Sequence, residues 1–341
     1  MNQLDSQLLI CSLFMEVTTG GLGWHDLPVE MQDFILQLVV QGGVEDDETL
    51  WSVMEVVLIF VCRSWKERKI FWQNNRQPDM SVSRKKLTWT VKAVALGNFP
   101  LLKWLREQGC PWGLRTSAQA ARSGNLRMLK WMCEKGCPWD TYTCALAAEG
   151  GHLDVLKWLR TNKCAWDSQT CASAAGGGHL EVLKWAREHG CSWYVYTCHQ
   201  AAKEGRLEVL KWAKRQGCPW NGFACAYAAG GGHLDVLKWL RENGCAWGYE
   251  TCTAAAKGGH LEVLKWAREK GCPWDTGACA GAAEGGHLDV LKWLRENGCS
   301  WDAKTCQRAA GEGHLEILKW KGERLSMGWT CLFRCSCRRA P

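Results

Sequence analysis

Cysteine is the residue type with the clearest capacity for chemistry in this sequence, which has 21 cysteines in 341 residues. Fifteen of them form two series that alternate at intervals of 7 and 20 residues, a spacing that matches no structural zinc site. A regular recurrence of this kind indicates stacked structural units, and equivalent residues of neighbouring units lie on the order of 10 Å apart, which exceeds the reach of a disulfide. We therefore expect small, buried, apolar side chains and no metal. The series are Cys110, Cys137, Cys164, Cys191, Cys218, Cys245, Cys272 and Cys299, and Cys144, Cys171, Cys198, Cys225, Cys252, Cys279 and Cys306.

Histidine and lysine form two further series along the chain. Single histidines spaced this way are more typical of helix capping than of metal binding, because a metal ion needs several ligands close together. Most lysines between Lys103 and Lys319 have Asp or Glu three residues earlier, as Glu181 precedes Lys184. That spacing pairs opposite charges on one helix face, so we expect a solvated and largely neutralised face. The histidines are His152, His179, His233, His260, His287 and His314.

A catalytic constellation is not found in the sequence. It has no phosphate-binding loop, nucleophile elbow or paired carboxylates outside the repeats, so we expect no enzyme and no cofactor. The net charge of +7 is modest and does not favour nucleic acid. The N-terminus lacks the basic start of a signal peptide, and the apolar run 56–62 is too short to cross a membrane. We expect a monomeric cytoplasmic protein without membrane contact, with residence in the nucleus left open.

Tryptophan reveals the element that must position these residues, because one series recurs every 27 residues. A fixed period of this length predicts a solenoid, in which each unit buries its apolar face against its neighbours. A second series accompanies the first. An indole in every unit is more typical of a packed core than of base stacking, since a binding site would differ between units. The first series is Trp104, Trp131, Trp158, Trp185, Trp212, Trp239, Trp266, Trp293 and Trp320, and the second is Trp112, Trp139, Trp166, Trp193, Trp220, Trp247, Trp274 and Trp301.

Each unit has the pattern of two helices joined by a tight turn. In one unit, Thr143 is a suitable N-cap for a first helix over 144–149, which a pair of glycines ends. A second helix opens at 152 or 153 and carries apolar residues at helical spacing, and residues 162–163 end it. The sequence therefore predicts an all-α, helix-turn-helix solenoid.

The unit resembles the ankyrin repeat. Residues 147–157, Ala-Ala-Glu-Gly-Gly-His-Leu-Asp-Val-Leu-Lys, resemble the family's Ala-Ala-x-x-Gly-His-Leu-Glu-(Ile/Val)-Val-Lys signature. The resemblance implies an ankyrin-like solenoid of about nine units that binds a protein partner on its concave surface. The unit has 27 residues where the family norm is 33, and the difference falls where ankyrins have a β-hairpin finger. We expect tight turns with little or no β structure.

Two short motifs before the repeats resemble an F-box. Leu-Pro at residues 27–28 opens one predicted helix, and Val-Cys-Arg-Ser-Trp at residues 61–65 closes a second. The resemblance implies docking to a Skp1-type subunit of a ubiquitin ligase. The motifs lie further apart than in the family, with an acidic loop over 44–49 as the insertion, and a small helical cap on the first repeat is the alternative interpretation. The residues assigned to docking are Leu27, Pro28, Met31, Ile35, Val61, Cys62 and Trp65.

The sequence divides into five segments. They are a tail over 1–23, a helical F-box-like domain over 24–72, a linker over 73–88, a repeat array over 89–320 and a degenerate, poorly ordered tail over 321–341. This organisation predicts protein–protein recognition, specifically the substrate-recognition adaptor of an SCF-type ubiquitin ligase. A scaffold or sequestering protein whose N-terminal helices only cap the array is the alternative, and nucleic-acid binding is a remote one.

Positions that differ between units are where any specificity must lie. They fall after the second tryptophan and on the first helix, and aromatic residues cluster there in three adjacent units. Such a cluster is either an anchor for a partner or a filling for the space left by the absent fingers. The cluster consists of Tyr194, Tyr196, His199, Phe223, Tyr227 and Tyr249.

Overall fold

The computed structural model describes residues 89–107 and 109–324, with side chains through Trp320. In these ranges the regular secondary structure is entirely α-helical, and the helices come in pairs joined by tight turns, which confirms the predicted all-α solenoid of helix-turn-helix units. The predicted F-box-like domain, the linker and residues 325–341 lie outside the described residues. The chain divides between Trp139 and Asp140 into two compact units.

The helices alternate between a first and a second member of each pair. The first helices are α1 (residues 89–95), α3 (Leu114–Arg122), α5 (Thr141–Glu149), α7 (Ser168–Gly177), α9 (Val195–Lys203), α11 (Phe223–Gly230), α13 (Tyr249–Lys257), α15 (Thr276–Glu284) and α17 (Ala303–Gly311). The second helices are α2 (Phe99–Glu107), α4 (Leu126–Glu134), α6 (Leu153–Thr161), α8 (Leu180–Glu188), α10 (Leu207–Arg215), α12 (Leu234–Glu242), α14 (Leu261–Glu269), α16 (Leu288–Glu296) and α18 (Leu315–Arg324). Helix α18 extends four residues into the segment predicted as a tail.

The first helix α5 begins three residues earlier than the sequence analysis predicted. Its N-cap is Asp140, whose Oδ1 accepts hydrogen bonds from the backbone N–H groups of Tyr142 (3.0 Å) and Thr143 (3.3 Å). The Thr143 hydroxyl accepts in return from the Asp140 N–H at 3.3 Å. Thr143 is therefore the third helical residue of a capping box and not the N-cap. Both residue types suit a cap, and only the backbone distinguishes them.

Residues in the left-handed conformation follow the helix ends, at the positions where the sequence predicts that the helices stop. Gly232 has φ +79° after α11 and Gly244 has φ +79° after α12. Lys163 occupies the position equivalent to Gly244 in an earlier pair with φ +63°. Glycine adopts this conformation without the steric cost that a side chain adds, which explains its recurrence in the other pairs.

Small residues on the first helices form the core of the compact unit that begins at Asp140. Cys225, Ala228 and Ala229 of α11 are fully buried, and the first helices of successive pairs pack directly against one another. Each second helix then packs on the first helix of its own pair, and α12 buries Val236 and Leu237 completely. Burial of each such side chain contributes about 1.5–3 kcal/mol before the entropy of ordering is subtracted. The core therefore grows pair by pair along the chain.

The tryptophan ladders are half-buried, so their assignment to a fully packed core needs correction. Trp166, which follows α6, meets Trp185 of α8 edge to face with ring centroids 5.7 Å apart. The guanidinium carbon of Arg160 lies 4.3 Å from the centroid of the Trp166 ring, and Arg160 also donates to the Cys164 carbonyl at 2.5 Å. The same arrangement recurs in later pairs, for example at Trp247 and Trp266. The indoles thus join successive pairs along one flank and keep a partly exposed edge.

The two cysteine series are buried, as predicted, but they are not isolated from each other. Cys171 of α7 lies against Cys191, which follows α8, and the Cys171 thiol is 3.9 Å from the Cys191 carbonyl oxygen. The hydrogen bond between the two thiols, together with burial, raises the pKa of Cys171 above its ordinary value. Six such pairs recur from Cys144 with Cys164 onward. The 10 Å estimate applied only within one series, whereas the fold brings the two series together.

The histidines connect helix pairs and do not cap helices, which corrects the prediction. His260 occupies the N-cap position of α14 without a side-chain cap bond. Its Nε2 lies 3.1 Å from the Gly230 carbonyl oxygen at the end of α11 in the preceding pair. His314 makes the equivalent contact with the Glu284 carbonyl at 3.0 Å. Arg206 takes the histidine's place before α10 and donates to the Gly176 carbonyl at 3.1 Å.

The lysine face is paired as predicted where the acidic residue is glutamate. Lys184 lies 2.7 Å from Glu181, and the same i,i+3 bridge recurs on α10, α14 and α18. Where the residue is the shorter aspartate, as on α6, Lys157 instead places its Nζ 5.9 Å from the Trp185 ring centroid of the next pair. Exposed pairs of this kind stabilise a helix by only a few tenths of a kcal/mol, about 0.3–0.5 each.

Candidate protein-binding surface

The five large rings predicted as partner-binding all lie on exposed positions. Tyr194 and Tyr196 stand at the start of α9, Phe223 and Tyr227 on α11, and Tyr249 at the start of α13. Their exposed fractions range from 38% to 61%. We call these five residues the aromatic surface. This exposure favours an anchor for a partner over a filling for absent fingers, because a filling would be buried.

His199 differs from the other predicted residues, because it lies beneath the aromatic surface with 5% exposure. Its ring centroid is 5.0 Å from that of Tyr227, 5.5 Å from Tyr196 and 6.5 Å from Phe223. The equivalent positions of five other first helices hold alanine, so the imidazole ring at this position distinguishes α9 from those helices. Those alanines are Ala118, Ala145, Ala172, Ala226 and Ala280. His199 therefore supports the exposed rings from below.

The hydrogen bond to Asn221 determines which ring nitrogen of His199 carries the proton. Its Nε2 lies 2.8 Å from Asn221 Oδ1, which also accepts from the Phe223 backbone N–H at 3.1 Å. Because Asn221 Oδ1 acts as an acceptor in both bonds, we assign the imidazole proton to Nε2. Nδ1 is buried and has no hydrogen-bond partner among the described residues. Burial lowers the pKa of His199, although the Asn221 bond opposes the shift. The ring is therefore neutral at pH 7.

The helix N-termini beneath the aromatic surface lack the acidic cap found elsewhere. Tyr194 is the N-cap of α9 and makes no side-chain cap bond, and Gly248 is the N-cap of α13. Asn221 stands at the equivalent position before α11. The first helices on either side keep aspartate there, namely Asp140, Asp167, Asp275 and Asp302. Three consecutive departures from one rule mark this region as the least regular part of the second unit.

One exposed ring of the same kind escaped the sequence analysis. Tyr142 on α5 is 50% exposed and stands at the position equivalent to Tyr196, two periods earlier. The shared position was the signal that could have identified it. It belongs to a different helix pair from the aromatic surface. Tyr142 therefore offers a matched control for substitutions there.

The F-box-like assignment finds no structural counterpart here, because the residues from Leu27 to Trp65 lie outside the described residues. Within 89–107 and 109–324, the His, Cys, Asp and Glu side chains form no group of three or more that could hold a metal ion. No helix in that part of the chain is both long and apolar enough to span a bilayer.

The fold and the aromatic surface together define a helical repeat protein with one irregular, exposed face. No protein-family model and no curated protein matches the chain. Among solved structures, it is similar to the crystal structure of the ankyrin repeat domain of human ASB11, with 20% sequence identity and a TM-score of 0.36. The alignment covers 46% of this chain and 84% of that one. Function must therefore be inferred from the side chains.

Proposed function

We propose that the chain is a protein-recognition module whose partner binds the aromatic surface. The exposure of five large rings on three successive first helices carries this proposal. Large aromatic side chains contribute a disproportionate share of the binding energy in protein interfaces, and contiguous apolar surface of this kind marks interaction sites. The tryptophan and cysteine ladders recur in nearly every pair and so hold no information about one partner. The aromatic surface does not recur, which is what selective recognition requires.

Alanine substitution in the full-length chain tests the proposal. Tyr196→Ala and Phe223→Ala are expected to abolish the capture of a reproducible set of proteins in quantitative affinity purification, without a change in circular dichroism or in the thermal unfolding midpoint. Tyr142→Ala, which removes an equally exposed ring on another pair, should leave the captured set intact. If the two variants lose their fold, the rings have a packing role and the proposal is wrong. It is also wrong if the folded variants capture the same proteins as the wild-type chain, because the rings are then not needed for binding.

A finer part of this proposal is a substrate-recognition adaptor of an SCF-type ubiquitin ligase. The F-box-like residues 27–28 and 61–65 support it from the sequence. In this arrangement the N-terminal segment docks a Skp1-type subunit and the aromatic surface holds the target. The full-length chain should then co-purify with a recombinant Skp1-type protein, and Trp65→Ala should weaken the complex. The absence of any such complex with the wild-type chain would exclude the adaptor role and leave the recognition role untouched.

The alternative is a scaffold or sequestering protein whose N-terminal helices only cap the repeats. It predicts that deletion of residues 1–72 lowers solubility while partner capture through Phe223 persists and no Skp1-type protein binds. Nucleic-acid binding, the remote alternative, requires affinity that falls steeply as the salt concentration rises.

A further inference from the structure

The sequence stretches that carry the aromatic surface contain no lysine and no arginine. The first turns of six consecutive first helices, α5 to α15, contain no Lys or Arg, while they carry the carboxylates of Asp140, Asp167, Glu250 and Asp275. The chain as a whole has a net charge of +7, whereas these stretches carry only negative charges. The stretches concerned are 140–146, 167–173, 194–200, 221–227, 248–254 and 275–281.

Glu250 places one of these charges at the edge of the aromatic surface. Its side chain folds back over the start of α13, so that Oε2 lies 2.5 Å from where a Cβ on Gly248 would be. The hydrogen bond and the charge of Glu250, with a smaller contribution from Asp275, raise the pKa of Tyr249 above its ordinary value. A phenol responds in this way to negative potential. The negative potential therefore acts on Tyr249, at the edge of the aromatic surface.

His199 adds no positive charge to this face. Its ring contacts Tyr196 and Tyr227, and burial beneath them lowers its pKa and so favours the neutral imidazole. The faces of exposed phenol and phenyl rings attract cations, and a neighbouring carboxylate can accept hydrogen bonds from the same cation. Arginine suits both contacts, because its planar guanidinium stacks on a ring and presents a fork of N–H donors to a carboxylate.

We propose that the aromatic surface binds an arginine-bearing segment of the partner protein, with guanidinium groups stacked on Tyr196, Tyr227 and Tyr249 and one of them paired with Glu250. This inference rests on the proposed function and specifies the chemistry of the partner. A nucleic acid is the less favoured occupant, because its phosphates would meet the Glu250 carboxylate and no Lys or Arg in the stretches that carry the rings. A wholly apolar segment would cover the charge of Glu250 without neutralising it.

Fluorescence anisotropy with the full-length chain and defined probes tests the proposal. The probe is a short fluorescein-labelled peptide of alternating glycine and arginine, measured at about 0.15 M salt. Replacement of each arginine by citrulline, which keeps the shape and removes the charge, should weaken binding by about tenfold or more. Tyr196→Ala, Tyr227→Ala and Glu250→Gln should each weaken it by roughly three- to tenfold.

Two variants control for general electrostatic attraction. Tyr142→Ala removes an exposed ring outside the aromatic surface, and Glu262→Gln removes a carboxylate that pairs with Lys265 on α14. Both should bind the arginine peptide as the wild-type chain does. Equal binding of the citrulline peptide, equal loss in the control variants, or tighter binding of a glutamate peptide or a single-stranded RNA would overturn the proposal. If the arginine peptide does not bind while protein capture still depends on Tyr196, the arginine inference fails and the recognition function stands.

Discussion

Tyr194→Asp is expected to stabilise the fold while it removes part of the aromatic surface. Tyr194 is the N-cap of α9 with φ −140° and ψ −174°, close to the φ −141° and ψ −172° of Asp167, which caps α7. Asp167 Oδ1 accepts from the Gln169 N–H at 2.9 Å, whereas Tyr194 makes no cap bond. The backbone of α9 is thus already arranged for an aspartate, and the substitution needs no rearrangement.

The size of the effect follows from that geometry. A cap hydrogen bond contributes about 1 kcal/mol, and a carboxylate at a helix N-terminus adds about 0.3–1 kcal/mol through the helix dipole. The lost ring is 59% exposed, so its packing contribution is small. We expect a gain of about 1–2 kcal/mol, which corresponds to a factor of roughly 5–30 in the opening equilibrium of the first turn of α9.

Native-state hydrogen exchange is the suitable assay, because a solenoid can open locally and a global midpoint would dilute the effect. The amide of Tyr196 and its neighbours in the first turn of α9 should exchange more slowly in Tyr194→Asp. The reciprocal variant Asp167→Tyr should accelerate exchange in the first turn of α7. Unchanged exchange rates in both variants would refute the reasoning that α9 lacks a stabilising cap that α7 has.

Three further predictions concern the turns, the buried histidine and the thiols. Gly232→Ala should lower the free energy of unfolding in urea more than Gly244→Ala does. Both glycines have φ +79°, so an alanine at either position carries a backbone penalty of about 1–2 kcal/mol. Only at Gly232 would the added Cβ also meet a ring, that of His260 at 2.6 Å. Equal losses would contradict this packing. The lowered pKa of His199 means that the unfolded state takes up its proton first, so stability should fall as the pH drops below about 6.5 and level off below the folded pKa. His199→Ala should flatten part of that fall in urea titrations, and parallel curves would refute the assignment. Cys171 should resist iodoacetamide in the native chain and react after unfolding, because contact with a neighbouring thiol and burial raise its pKa. Mass spectrometry can follow the labelling. Rapid labelling of the native chain would be inconsistent with this prediction.

The sequence was sufficient to predict the repeated helix pair, since the 27-residue period and the apolar spacing are local properties. It was not sufficient to predict contacts between distant positions. Cys171 and Cys191 are 20 residues apart, and only the packing of α7 beside the end of α8 brings them together. Likewise, Trp185 contacts Trp166, which comes from the preceding pair. The capping choice between Asp140 and Thr143 was local but degenerate.

The aromatic surface was partly accessible from the sequence. Comparison of equivalent positions identified Tyr196 and Phe223, because the surrounding columns are constant and these positions are not. The same comparison favours burial of His199, since the equivalent positions in other units are mostly alanine. The loss of the acidic cap at Tyr194 also lay in the sequence, and its meaning required the capping geometry of the neighbouring helices.

The indole contacts between successive pairs are almost interchangeable, with ring centroids 5.6 Å apart at Trp220–Trp239 and 5.8 Å apart at Trp274–Trp293. Recombination that adds or removes one 27-residue unit in a regular region would therefore leave every junction filled with the same side chains. Copy number can then change in evolution without creating a mismatched junction. The aromatic surface spans three units and would be severed by an exchange inside it, so selection should tolerate gain and loss of units on either side and resist it between Tyr194 and Tyr249.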